Sequence, residues 1–207
     1  TSDVAQMLFA KESAGRVAAE KPVVASPGTH WNYSSGTSNI IQLILRHGFT
    51  DERDYLRFPH DRLFAPLGMR SAVIEPDASG TFIGSSLMYA SARDWARLAL
   101  LFAQNGVWQG KPLLPPDWVT YSLTPTPEAP AKEYGAHVWL KLPESEQSTL
   151  AVDAYYLLGF DQQIVAIIPS RDLIIVRLGL TRKGGDWDHA RDLAPIVRAF
   201  SAETTAP

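Results

Sequence analysis

The sequence predicts an α+β fold in which an antiparallel sheet is flanked by helices. Helical periodicity dominates the first two-thirds of the chain, whereas two β-branched runs separated by a turn lie in the last third. These runs are apolar throughout, which is typical of strands that helices cover on both faces. Helices first and a hairpin late favour α+β packing.

Length and composition indicate a single globular domain and exclude several other classes of protein. A chain of 207 residues buries roughly 70% of its unfolded surface, so we expect one domain. A net charge of −3 with 45% hydrophobic residues excludes disordered and collagen-like chains and gives no sign of nucleic-acid binding. The absence of cysteine excludes thiolate catalysis. No apolar run reaches about 18 residues, so no membrane segment is predicted. The cellular location stays open.

Four helices are predicted. The first covers residues 37–47, with Ser38 as its cap and Gly48 as its stop. The second covers 92–105, with Ser91 and Asp94 at capping-box spacing and Gly106 as a left-handed cap. A third begins at Pro115 and ends before Pro125, and a fourth begins near Asp188. Three of these helices have an apolar stripe. The stripe of the first is Ile40, Ile41, Ile44 and Leu45, that of the second is Trp95, Leu98, Leu101 and Phe102, and that of the fourth is Leu193, Ile196, Val197 and Phe200.

Three strands are predicted in the last third. Residues 135–140 alternate between apolar and polar side chains, and residues 163–168 and 173–180 are the β-branched runs. Residues 169–172 are turn-forming, so the last two strands form a hairpin.

Residues 26–39 contain the most informative segment for chemistry. Tyr33-Ser34-Ser35 directly precedes a predicted helix, whose positive N-terminal potential favours the phenolate form of a tyrosine. Tyr33 is therefore a candidate general base. The alternative is that Ser35 and Ser38 cap the helix and Tyr33 only packs.

This segment, from Pro27-Gly28-Thr29 through Tyr33-Ser34-Ser35-Gly36, resembles the second motif (Tyr-x-Asn) of serine hydrolases in the β-lactamase and penicillin-binding-protein superfamily. The most similar branch comprises the class C-like esterases and 6-aminohexanoate-oligomer hydrolases. Later stretches agree in order and spacing: Pro66-Leu67-Gly68-Met69, Gly84-Ser85-Ser86, Tyr89 through Arg97, and Gly106-Val107-Trp108 with Leu113-Leu114-Pro115.

The resemblance implies a Ser-x-x-Lys nucleophile motif, and this chain has none. No serine stands three residues before any of the six lysines, and no Gly-x-Ser-x-Gly elbow is present. In the family the nucleophile helix precedes the tyrosine motif. We therefore expect residues 1–207 to be the C-terminal portion of one hydrolase domain, inactive alone. The missing N-terminal part would be its partner, and the chain would expose an apolar face or an unpaired sheet edge.

The resemblance also implies catalytic roles for Tyr33 and Ser35, the latter in place of the family's Asn. The third family motif, which binds substrate and contributes an oxyanion donor, corresponds to Gly159, Phe160, Asp161, Gln162 and Gln163. Many relatives have His where Phe160 stands and Gly where Gln162 stands. The alternative is that Gly159 only permits a turn into an edge strand.

The resemblance implies hydrolysis of a small-molecule ester, amide or lactam through an acyl-enzyme. The competing hypothesis is a non-catalytic pseudoenzyme or binding module on the same scaffold. The five histidines show no metal-ligand spacing, so neither a metal nor another cofactor is expected.

Overall fold

The computed structural model describes residues 2–142, 150–182 and 185–200. The chain forms two compact units, Thr1–Ser91 (unit 1) and Ala92–Pro207 (unit 2). Within the described ranges, no helix combines the length and the apolar character needed to cross a membrane.

Unit 1 is mainly helical, with one small two-stranded sheet. A single turn of π-helix, His60–Phe64, joins its fourth and fifth helices. The helices are α1 (Asp3–Phe9), α2 (Ala14–Ala19), α3 (Ser35–His47), α4 (Glu52–Pro59) and α5 (Ala65–Leu67), and the antiparallel strands are β1 (Val73–Ile74) and β2 (Met88–Tyr89).

Helix α3 is the central element of unit 1. It packs closely on α2 because Gly15 has no side chain: a Cβ there would lie 2.6 Å from the carbonyl oxygen of Asn39 and 2.8 Å from Cβ of Leu43. The carboxylate of Asp77 fixes the start of α2 by accepting the Ala14 amide at 2.9 Å, and its other oxygen accepts from Ser79 and Thr81. These hydrogen bonds fix the start of α2, the helix on which α3 packs.

Unit 2 places a three-stranded antiparallel sheet between helices. The strand order is β5-β6-β7, and the register pairs Tyr156 with Ala166 and Val165 with Val176. The elements in chain order are α6 (Ala92–Ala103), β3 (Val107–Trp108), β4 (Lys111–Pro112), α7 (Trp118–Ser122), β5 (Tyr155–Leu158), β6 (Ile164–Ile168), β7 (Leu173–Arg177) and α8 (His189–Ala199).

The two faces of this sheet bury different clusters. One face packs Tyr156, Ala166 and Ile168 with Leu193 and Val197 of α8. The opposite face, formed by Tyr155, Val165 and Ile167, packs on Ala99 of α6. All five residues of β6 are buried. The hairpin and its cover by helices on both faces are confirmed.

Several local predictions need correction. Helix α3 begins at Ser35 and is capped by Ser34, because the Ser34 hydroxyl lies close enough to accept the Gly36 amide at 3.1 Å; the predicted cap Ser38 is wrong. Residues 135–140 form only isolated bridges through Trp139. The strand Tyr155–Leu158 was not predicted. Helix α7 begins at Trp118 rather than at Pro115, which accepts the Trp118 amide in the preceding turn.

The structure also bears on the expected unpaired edge and apolar face. In the described part of the chain, the outer edge of β7 has no partner strand. On α3, Ile41 is 48% and Ile44 66% exposed, so these two residues of the predicted apolar stripe lie on the exposed side of the helix, whereas Ile40 and Leu45 are half-buried. On α8, Leu193 and Val197 are buried, whereas Ile196 and Phe200 are exposed.

Candidate active site

Tyr33 lies in the extended segment that leads into α3. Its side chain is 57% exposed, so the phenol is accessible from solvent. The Ser34 hydroxyl caps α3 by accepting the Gly36 amide. The remaining free amides of the first turn point toward the segment that carries Tyr33 and give that end of the helix its positive potential.

Burial separates Tyr33 from the tyrosines of the core. Burial, with a smaller contribution from Asp153, raises the pKa of Tyr155 to about 12. Burial also raises the pKa values of Tyr55 and Tyr156. A phenol with a raised pKa is a poor proton acceptor at neutral pH. These three tyrosines are also buried in the core, out of reach of a substrate, so the exposed Tyr33 is the better candidate for proton transfer.

Ser35 is the first residue of α3, and its carbonyl and hydroxyl have different environments. The carbonyl accepts a hydrogen bond from Nδ2 of Asn39 at 2.9 Å. Within the described ranges the hydroxyl has no hydrogen-bond partner and so can take up a polar group of a substrate. Ser35 does not cap the helix, which removes the alternative role that the sequence left open for it.

Asn39 is a polar residue of this region that the sequence analysis missed. Its side chain is 1% exposed and bonds to the first turn of α3 and to the segment Gly84–Ser86, where Gly84 donates its amide at 3.0 Å and Ser85 accepts from Nδ2 at 3.0 Å. The available signal was an amide residue one helical turn after Ser35, directly before the apolar residues Ile40 and Ile41.

The second predicted segment, residues 159–163, is the turn of the β5–β6 hairpin. Gly159 donates its amide to the carbonyl of Gln163 at 2.8 Å, and Nε2 of Gln163 donates to the carbonyl of Phe160 at 3.1 Å. Asp161 and Gln162 adopt left-handed conformations with φ of 55° and 67°. Arg177 donates to the carbonyl of Gln162 at 2.7 Å, which ties the turn to the end of β7.

This turn limits which amide can serve as an oxyanion donor. The amides of Gly159 and Gln163 are already engaged. In the stretch 150–182, the amides of Phe160 and Asp161 have no acceptor, so they are the available donors. Phe160 itself is 80% exposed. The turn leads into the central strand β6, so the reading of Gly159 as the entrance to an edge strand is wrong.

Unit 1 contains an open cavity of about 450 Å³ that lies away from Tyr33. Its lining includes Arg16 of α2 and Arg46 and His47 at the C-terminal end of α3. Tyr33 precedes the other end of this helix, about 20 Å away along an axis that rises 1.5 Å per residue. The cavity is therefore separate from the predicted site residues.

Comparison with known proteins identifies the family. The profile of the family described as Beta-lactamase matches residues 2–198. The chain belongs to the beta-lactamase family. Comparison with curated protein sequences finds no match.

Solved structures support the beta-lactamase fold. The chain resembles a proposed beta-lactamase from Bacteroides dorei with a TM-score of 0.63 and 16% identity over 94% of this chain and 71% of that one. A proposed 6-aminohexanoate-dimer hydrolase from Bacillus anthracis gives 0.64 and 23%, over 88% and 48%. A beta-lactamase from Mycobacterium bovis gives 0.63 and 18%, over 96% and 72%. The chain thus spans about half to three-quarters of the length of these beta-lactamase-fold proteins.

Proposed function

We propose that the protein is a serine hydrolase of the beta-lactamase family that cleaves an ester, amide or lactam through an acyl-enzyme. The observation that carries this proposal is the exposed Tyr33 at the capped N-terminus of α3, in a chain that belongs to this family. Its nucleophilic serine and lysine lie outside the 207 residues, which contain no Ser-x-x-Lys. Residues 1–207 then form the C-terminal portion of one hydrolase domain.

The proposed reaction assigns each group a role. The serine hydroxyl attacks the carbonyl carbon, and its proton passes through the lysine and Tyr33 to the leaving group. Ser35 hydrogen-bonds the bound substrate, and the amide of Phe160 or Asp161 stabilises the oxyanion. Water then attacks the acyl-enzyme, releases the acid and returns the proton to the serine. Gly159 and Gln163 shape this turn through their mutual hydrogen bond.

The same comparison supports the proposed range of substrates. One structural neighbour is named as a 6-aminohexanoate-dimer hydrolase, and others are named as beta-lactamases. Esters, amides and lactams all present a carbonyl to the same attack, so a p-nitrophenyl ester is a suitable first probe.

The test compares the 207-residue chain with a longer protein that carries a Ser-x-x-Lys segment before Thr1. We expect turnover of p-nitrophenyl acetate only in the longer protein, with the chain alone at the rate of uncatalysed hydrolysis. Turnover by the 207 residues alone, abolished by Tyr33→Phe, would refute the assignment of the nucleophile to another segment.

A second candidate function is a non-catalytic binding module on this scaffold. It is favoured by Phe160, an apolar side chain that is 80% exposed at the tip of the hairpin turn. A longer protein that binds p-nitrophenyl esters or short amides without turning them over would support this alternative.

A further inference from the structure

The segment Gly84–Ser86 of unit 1 is clasped to the first two turns of α3 by a single buried side chain. The Asn39 amide donates to the Ser35 carbonyl at 2.9 Å and to the Ser85 hydroxyl at 3.0 Å, and its oxygen accepts the Gly84 amide at 3.0 Å. The Gly84 amide can only donate and the Ser35 carbonyl can only accept, so these contacts fix the orientation of the Asn39 side chain.

The approach of this segment to α3 depends on Gly84. A Cβ at this position would lie 2.8 Å from the carbonyl oxygen of Ser38 and 2.5 Å from Cγ of Gln42. The chain then leaves the clasp through Leu87, a non-glycine residue with φ of 62°. Left-handed backbone is unfavourable for a leucine because its Cβ crowds the following carbonyl oxygen, and such strained positions cluster at binding and catalytic sites.

The hydrogen bonds of Asn39 bring Ser85 close to Ser35, the first residue of α3. The Ser35 carbonyl oxygen and the Ser85 hydroxyl both lie within 3.0 Å of the same nitrogen of Asn39, so they are at most about 6 Å apart. The next residue, Ser86, is exposed and donates its hydroxyl to the Ser85 carbonyl at 2.7 Å. The Ser85 hydroxyl thus lies close to the Ser35 backbone, and the exposed Ser86 follows it directly in the chain.

We propose that Gly84–Ser86 forms a wall of the substrate cleft beside Tyr33 and Ser35, that Ser86 determines which acyl chains fit, and that Asn39 is the positioning residue that holds this wall. This rests on the proposed function. The wall is polar and small at Ser86, so it accommodates an acyl chain of several carbons, and a larger residue there shortens the chain that fits.

The experiment uses the longer protein and two variants with little effect on the core. Ser86→Leu enlarges an exposed residue of the wall, and Ser85→Ala removes one of the bonds that Asn39 makes. The matched control is Thr50→Leu, an exposed residue after the opposite end of α3. Asn39→Leu is added for those preparations in which its circular dichroism spectrum matches the wild type.

Two readouts separate this proposal from the proposed function. The first is the ratio of kcat/KM for p-nitrophenyl hexanoate to that for p-nitrophenyl acetate; the second, which needs no turnover, is the Kd for hexanoate. Ser86→Leu is expected to lower the ratio and weaken hexanoate binding about 10-fold, as for a pocket that loses room for a methylene or two, and Ser85→Ala to shift the ratio in either direction.

The outcomes divide cleanly. Absence of ester turnover with hexanoate binding that Ser86→Leu weakens would remove the hydrolase proposal and keep the wall. Hexanoate affinity that is undetectable in the wild type, or equal in the wild type and Ser86→Leu, would overturn the wall. An equal change in the Thr50→Leu control would also overturn it.

Discussion

Replacing Tyr33 by phenylalanine tests whether its phenolic oxygen takes part in proton transfer. The variant keeps the ring and removes only the phenolic oxygen, and the side chain is 57% exposed. Substitutions at such positions usually change the free energy of unfolding by less than about 0.5 kcal/mol. Loss of a general acid–base group lowers rates by about 100- to 10,000-fold, which corresponds to roughly 3 to 5 kcal/mol of transition-state stabilisation.

The assay is the burst of p-nitrophenol from p-nitrophenyl acetate in the longer protein, with urea unfolding measured on the same preparations. Tyr121→Phe is the matched control, because Tyr121 is 62% exposed and lies on α7. We expect Tyr33→Phe to slow acylation without a change in stability, and Tyr121→Phe to change neither. An acylation rate within about threefold of the wild type, or a loss of stability that accounts for the loss of rate, would refute the reasoning.

Three further predictions concern the scaffold. Asp77→Ala removes hydrogen bonds to Ala14 and to the following loop and should lower the free energy of unfolding by about 2 to 4 kcal/mol in urea, whereas Asp117→Ala, at a helix start where the carboxylate makes no capping bond, should change it by less than about 0.5 kcal/mol. Gly15→Ala should cost about 1 to 3 kcal/mol despite its better helix propensity, because its Cβ would meet the α3 backbone at 2.6 Å; equal or higher stability would show that α2 moves freely. Burial raises the pKa of Tyr155 to about 12 from the ordinary 10.0, so the unfolded chain loses this proton first, and the contribution of Tyr155 to stability should be fully present below the unfolded pKa of about 10 and fall by about 2 kcal/mol as pH rises to 12; an equal fall in Tyr155→Phe would assign the loss to other groups.

The sequence predicted the elements whose pattern is local. The β-branched run of residues 163–168 and its turn into residues 173–177 specify a hairpin through β-branched composition and turn chemistry alone. Helix α6 follows its apolar stripe and ends at Ala103, and the predicted left-handed glycine, Gly106, follows three residues later with φ of 81°. Tyr33 was placed at a helix N-terminus because its neighbours are polar and small.

What the sequence did not predict depends on contacts between distant segments. Asn39 joins Ser35 to Gly84, 45 positions away from it, and no local pattern shows such a bond. The exposed Ile41 and Ile44 have the spacing of a buried stripe, so periodicity assigned them to the core although about half or more of each side chain is exposed. Strand β5 was missed because its residues, Tyr155–Leu158, include none of the β-branched side chains by which the other two strands were found.

The proposed function depends on a nucleophilic serine that lies outside the 207 residues, and covalent labelling of activated serines locates it. The chain of 207 residues and the longer protein are each treated with a fluorophosphonate, which bonds irreversibly to activated serines, and analysed by intact mass and peptide mapping. The account predicts one label on the longer protein, at the serine of the Ser-x-x-Lys segment, and none on the shorter chain. A label on Ser35 or on any other serine of the 207 residues would contradict it.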